Sequence, residues 1–293
     1  MQAALALVVL TLALGLGPAR LLSRSRATIL VLAPGLAAVA CAVAVPASIH
    51  AGGSMIPWLV ALAVIGWAAS LRLRPMRRPA PAGAPPGESV DDLRILAGAA
   101  LAAIVPLLLV RYPTTTADAR SIWWLHAAWF HSGGNLAREA MTNPVLPDIH
   151  PSYPPLIPGV IASVWHLWRP YDREMALATS QWLTAYGATA LGYFTARAFR
   201  LHGWAATAAA AGIAWLGWSA KVDVGLSGLV DLTWALFLVT AAVLLLTGDL
   251  DRRTVAVGAL FATLAALSKT EAQAAVLLLV LVTLCLLYTS RCV

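Results

Sequence analysis

The sequence predicts an all-α polytopic integral membrane bundle of about nine spans, with a long outer loop carrying a juxtamembrane helix. Three observations predict it. Of 293 residues, 60% are hydrophobic and 11% charged, at a mean hydropathy of +0.78; a soluble domain carries roughly 25% charged residues. The apolar residues fall in runs fit to cross a hydrocarbon core, at about 20 residues per crossing. These runs lack the alternation of barrel strands, and backbone in lipid must satisfy itself within the segment, so helices remain.

The net charge of +7 rests on arginine, Lys221 and Lys269 being the two lysines. Most arginines stand between apolar runs, where they orient the chain and meet anionic lipid headgroups. Membrane lipids, not nucleic acid, are the partner this predicts. Cys41, Cys285 and Cys292 form no CxxC or Cys/His pattern, so no redox or metal chemistry follows from them.

Residues 1–72 hold three apolar runs, at 2–17, 28–46 and 54–71. No Lys or Arg precedes Arg20, so the first run reads as a span with its N-terminus outside rather than a signal peptide. Arg20, Arg24 and Arg26 are then cytoplasmic, as are Arg74, Arg77 and Arg78. Residues 73–92 form a linker whose middle, Pro79 to Gly87, is rich in Pro, Ala and Gly. The run 95–110 leaves the membrane near Arg111, which puts the loop 111–154 outside.

That loop is longer than a connector needs to be. Within it, Asp118 to Phe130 (DARSIWWLHAAWF) is helix-compatible, and Trp123, Trp124 and Trp129 place it at the headgroup level. Gly133 or Gly134 is the expected C-cap. The next apolar run, 155–168, begins within HPSYPPLIPG and is short, as a re-entrant or interfacial helix would be. If it does not cross, Arg197, Arg200, Arg252 and Arg253 lie inside, with Lys221, Asp231, Lys269 and Glu271 outside. Later runs are expected at 175–196, 204–218, 229–247, 254–267 and 274–288.

Chemistry concentrates on the outer side. Asp118 opens the juxtamembrane helix, where a carboxylate is placed to act as general base. Thr115-x-x-Asp118 also fits a helix-capping pattern. Arg111, Arg120 and Arg138 supply the planar fork a phosphate needs, or else are solvated loop residues. Asp148, His150 and Tyr153 line a site or simply a surface turn; an Asp and a His two apart leave a divalent metal open without arguing for one. Lys269 and Glu271, in SKTE between two apolar runs, are ionisable groups at the membrane edge, either functional or a snorkelling helix end. Asp223 and Asp231 suit the N-terminus of a span. P-loop, Rossmann and HExxH patterns are missing from the sequence.

The order of these features resembles the GT-C glycosyltransferase superfamily, in its aminoarabinose transferase, protein O-mannosyltransferase and Rgt-like branch. The likeness rests on Val110 followed by YPTTTADARSIWWLHAAWF, on HPSYPPLIP, on Asp231 and on SKTE at Ser268 to Glu271. It covers about residues 93–288, read as a GT-C-like membrane module. The resemblance implies inverting transfer of a sugar from a polyprenyl-phosphate donor to a glycan, lipid or protein hydroxyl, outside the plasma membrane. It implies Asp118 as general base, with Arg120, His150, Tyr153, Asp231, Lys269 and Glu271 around the substrates. Two departures stand out: three spans precede the matching part, and the family runs longer. The chain therefore reads as C-terminally truncated, with 289–293 a non-native tail. A transporter or flippase-like carrier of a lipid-linked solute is the competing reading, and a noncatalytic scaffold a third.

Overall fold

The computed structural model describes residues 2–73, 90–109, 116–143, 150–201, 228, 230–247 and 250–292. Every regular element among them is helical. The long helices are α1 (Gln2–Leu22), α2 (Arg26–Ala51), α3 (Ile56–Arg72) and α4 (Val90–Leu109). A π turn at Ala119–Trp123 leads into α5 (Trp124–Ser132), α6 (Gly134–Thr142) and α7 (Leu156–Leu167). The remainder are α8 (Arg173–Ala198), α9 (Asp231–Thr247), α10 (Arg252–Ala266) and α11 (Thr270–Cys292). Side-chain caps start three of them: Ser25 accepts from Thr28 N–H, Asp172 from Met175 N–H and Asp251 from Thr254 N–H.

Contacts between distant residues define two ends of the bundle. At one, the Tyr193 hydroxyl lies 3.1 Å from Thr28 Oγ1, Arg253 donates to Ser23 Oγ at 2.5 Å, and Arg197 pairs with Asp92. Trp67 Nε1 donates to the Ala13 carbonyl at 3.1 Å and Arg20 covers the Trp67 ring, bringing the ends of α1 and α3 there too. We call this the arginine end. Arg20, Arg24, Arg26, Arg72, Arg94, Arg197, Arg200, Arg252 and Arg253 collect at it, against Asp92 and Asp251 among the residues whose side chains are described. At the other, the loop end, Gly134 N–H donates to the Gly53 carbonyl at 2.9 Å and Leu156 N–H to the Leu267 carbonyl at 2.9 Å. There Arg120, Arg138, Arg169, Arg173 and Lys269 are balanced by Asp118, Glu139, Asp172, Glu174, Asp231 and Glu271.

Helix α7 both starts and finishes at the loop end. Its first residue bonds to Leu267, while Trp165 in its last turn donates Nε1 to the Asp172 carbonyl at 3.0 Å and packs against His131. It does not traverse the bundle, the arrangement expected of a segment too short to cross. Helix α8 then runs from the loop end to the arginine end, where residues 193–197 meet α2 and α4.

Among the described residues, three helices are both long and apolar enough to cross a membrane: Gln2–Leu22, Arg26–Ala51 and Thr270–Tyr288. About nine spans were expected, at about 20 apolar residues each. Ile56–Arg72 and Asp231–Thr247 are apolar but shorter, and the expected run at 204–218 lies outside the described residues. Helix α8 has the length, but Ser180, Thr184, Tyr193 and other polar groups lie inside the bundle along it. Val60, Val64 and Ile65 on α3, and Leu277, Leu278 and Leu281 on α11, are each more than half exposed. Such apolar faces are compatible with a membrane protein.

Candidate functional site

The centre of the loop end is the turn between α10 and α11. Leu267 N–H bonds to the Thr263 carbonyl and Ser268 Oγ donates to the Leu264 carbonyl at 2.6 Å, which fixes where Lys269 emerges. Its ammonium lies 2.7 Å from Asp231 Oδ1 and 3.6 Å from Glu271 Oε1. Asp231 opens α9 and Glu271 stands in the first turn of α11, where an acid is favoured by the helix dipole. The Lys269 side chain is 17% exposed. Burial works against its charge, but the hydrogen bond and charge of Asp231, with Glu271 and Tyr153 adding, hold it above the ordinary lysine value. Lys269 is therefore a paired cation.

Tyr153 ties this turn to the outer loop. Its ring stacks on Trp123 at 5.2 Å and 13°, and on His150 at 4.7 Å and 11°. The backbone closes the same corner: Tyr153 N–H donates to the His150 carbonyl at 2.9 Å, with His150 at φ 49°, and Leu156 bonds to Leu267. Trp123 ends the π turn that begins just after Asp118, closed by Trp124 N–H on the Ala119 carbonyl. The wider turn brings positions five apart towards one face, and such turns recur at functional sites. Gly228 fits there because a side chain would meet Ala119, Trp124 and Leu177; its φ is 85°, so the chain three residues before Asp231 passes tightly over the π turn.

The structure thus brings together Tyr153, Asp231, Lys269 and Glu271, with His150 stacked on the outside. Asp118 and Arg120 join through the π turn, and both are exposed. The cap visible at this turn is Thr116. Thr116 Oγ1 accepts from Ala119 N–H at 3.2 Å, while Asp118 has helical backbone angles and makes no capping hydrogen bond among the described residues. Thr115 lies outside them. Of the tryptophans expected at the headgroup level, Trp123 and Trp124 are buried against protein in the main core. The Arg138 guanidinium donates to the Ile49 and His50 carbonyls and so closes the end of α2. Arg111, Asp148, Lys221 and Asp223 fall outside the described residues.

Sequence reasoning missed a neighbouring pair. His131 and His166 stack at 4.2 Å, with Tyr171 edge-on to His131. Burial pushes both imidazoles below the ordinary value, His166 to about 4 with His131 adding to the effect. The two sit 35 positions apart on different helices, with no spacing signal to join them. No group of three or more His, Cys, Asp or Glu converges as a metal site among the described residues. An apolar cleft of about 250 Å³ opens between α1, α2, α7 and α8, bordered by Leu7, Pro34, Cys41, Val160 and Tyr186. The chain matches no family model, no curated protein and no solved structure.

Proposed function

We propose that this chain is a multi-pass membrane glycosyltransferase of the GT-C kind, taking a sugar from a polyprenyl phosphate at its loop end. The observation that carries the reading is Tyr153, stacked on the Asp118-bearing turn through Trp123 and close to the Lys269–Asp231 pair. It places an exposed carboxylate and a held cation on the same end of the bundle. A base and a counter-ion for phosphate are what such a transfer needs.

In this mechanism the Asp118 carboxylate takes the proton from an acceptor hydroxyl of a glycan, lipid or protein. The freed oxygen attacks the anomeric carbon, and the bond from that carbon to the phosphate oxygen breaks with inversion. Polyprenyl phosphate leaves as an anion, met by Lys269. Asp231 and Glu271 hold the ammonium charged and aimed, while Arg120 and His150 flank the entrance. The apolar cleft beside α7 offers a wall for a lipid chain.

The fuller topology belongs to the same proposal. Helices α1, α2, α3, α4, α8, α9, α10 and α11, counted with the apolar run that the sequence carries at 204–218, make about nine spans. The arginine excess at one end favours that end facing the cytoplasm of a plasma membrane, leaving Asp118 outside.

Replacement of Asp118 by Asn tests the reading. Transfer from a polyprenyl-phosphate sugar should drop by about 10²–10⁴-fold, the usual contribution of a general base, with helicity unchanged. Undiminished transfer by that variant removes Asp118 from the role. The carrier reading predicts ionisable groups near mid-span; the Lys269–Asp231 and Arg197–Asp92 pairs lie instead at helix ends.

A further inference from the structure

At the arginine end, away from Lys269, a cavity of about 430 Å³ opens between the last turns of α8 and α9 and the first turns of α2 and α10. Arg197, Arg200 and Arg253 line it. Asp251 is the acid in that lining, and its Oδ1 accepts the Thr254 N–H at 2.7 Å as the cap of α10. Arg197 is anchored by Asp92, and Arg253 by Ser23 Oγ at 2.5 Å. Arg200, at φ 53°, bonds through its backbone N–H to the Arg197 carbonyl at 3.2 Å, and its guanidinium makes neither a hydrogen bond nor an ion pair among the described residues. Phe194 and Val243 make an apolar wall beside the guanidinium groups.

We propose that this cavity binds a phosphate-bearing anion, and that the ligand is the headgroup of an anionic phospholipid. Guanidinium forks match phosphate oxygens in a bidentate way. Two of the three are held in place beforehand, so little order is lost on binding. The volume falls in the roughly 300–1,000 Å³ of small-molecule pockets, room for a glycerol phosphate headgroup and not just a lone phosphate. The apolar wall takes the first methylenes of the acyl chains. Basic pockets between membrane helices on the positive side are where acidic headgroups bind. The inference rests on the chain being embedded in a membrane and is independent of sugar transfer.

The test is native mass spectrometry on the full chain, delipidated in detergent and then offered phosphatidylglycerol, phosphatidylcholine or inorganic phosphate. Phosphatidylglycerol should be retained preferentially. Arg200→Gln and Arg253→Gln should each reduce that retention by about fivefold, from roughly 1 kcal/mol per arginine, while Arg169→Gln at the loop end leaves it unchanged. Circular dichroism of each variant should match the parent. Equal retention of the two lipids, or retention indifferent to Arg200 and Arg253 in folded variants, overturns the proposal. If inorganic phosphate binds as strongly and displaces the lipid, the ligand is a soluble phosphate and the lipid assignment falls. A chain that stays dispersed without detergent fails the membrane reading itself, a separate result.

Discussion

The Lys269 ammonium sits 2.7 Å from Asp231 Oδ1, joining the turn before α11 to the first residue of α9 across 38 positions of sequence. The lysine is mostly buried while the aspartate is 46% exposed, so water screens the pair from one side. Its value lies as much in holding a charged group at a fixed place as in stability.

Asp231→Asn should lower the thermal stability of the detergent-solubilised protein by about 1 kcal/mol, discounted for that exposure. Lys269→Met combined with Asp231→Asn should recover part of the loss, because no unpaired ammonium remains. The pH dependence has a definite sign. Lys269 is raised in the folded chain, so its contribution is fully present below the ordinary value of 10.5 and fades as pH climbs through the higher folded value. The difference in melting temperature between parent and Lys269→Met should be constant from neutral pH to about 10 and shrink only above. A difference that vanishes near neutrality would contradict the pairing.

The His131–His166 stack makes the opposite prediction at acid pH. His166 is depressed to about 4 from an ordinary 6.5. Its neutral form is therefore the one the fold accommodates, with full stability above 6.5 and loss as pH falls from there towards 4. Thermal melts across that range should show a decline, and His166→Gln should flatten it.

Gly134 should not tolerate a side chain. A Cβ there would lie 1.9 Å from the Ser48 carbonyl oxygen, and a helix carbonyl cannot step aside as a flexible side chain can. Gly134→Ala should cost about 1–3 kcal/mol, read as a lower melting temperature. Alanine at the open Gly53 should cost far less, because nothing lies within 4 Å of a Cβ there.

Single cysteines at 118, 200 and 269, in a chain freed of its native cysteines, should report the two ends. In intact cells a membrane-impermeant maleimide should label positions 118 and 269 and spare 200. Opposite behaviour of 118 and 269 would separate the two halves of the proposed site.

Much of the helical layout is legible in the sequence because helix signals are local. Ser25, Asp172 and Asp251 cap where a polar residue precedes an apolar run, and Gly133, at φ 124°, ends α5 as expected. The short α7 follows from length alone. That Trp123 and Trp124 pack in the main core is not legible in the sequence, because an aromatic cluster beside polar residues has one signature whether it meets lipid or protein. Arg138 was a phosphate candidate on residue type; the Ile49 and His50 carbonyls that claim it lie nearly ninety residues away. Spacing along the chain carries no information about such a partner.

The sequence by itself determined an all-helical chain, its apolar segments and the residues able to carry charge at their ends. Hydropathy and capping act within a few residues, so both can be read in order along the chain. Only the tertiary structure decided that Tyr153 stacks on Trp123, that Lys269 faces Asp231, and that three arginines surround a cavity at the far end. Those pairings depend on which helices pack side by side, and packing is settled by shape across the whole bundle rather than by any one segment.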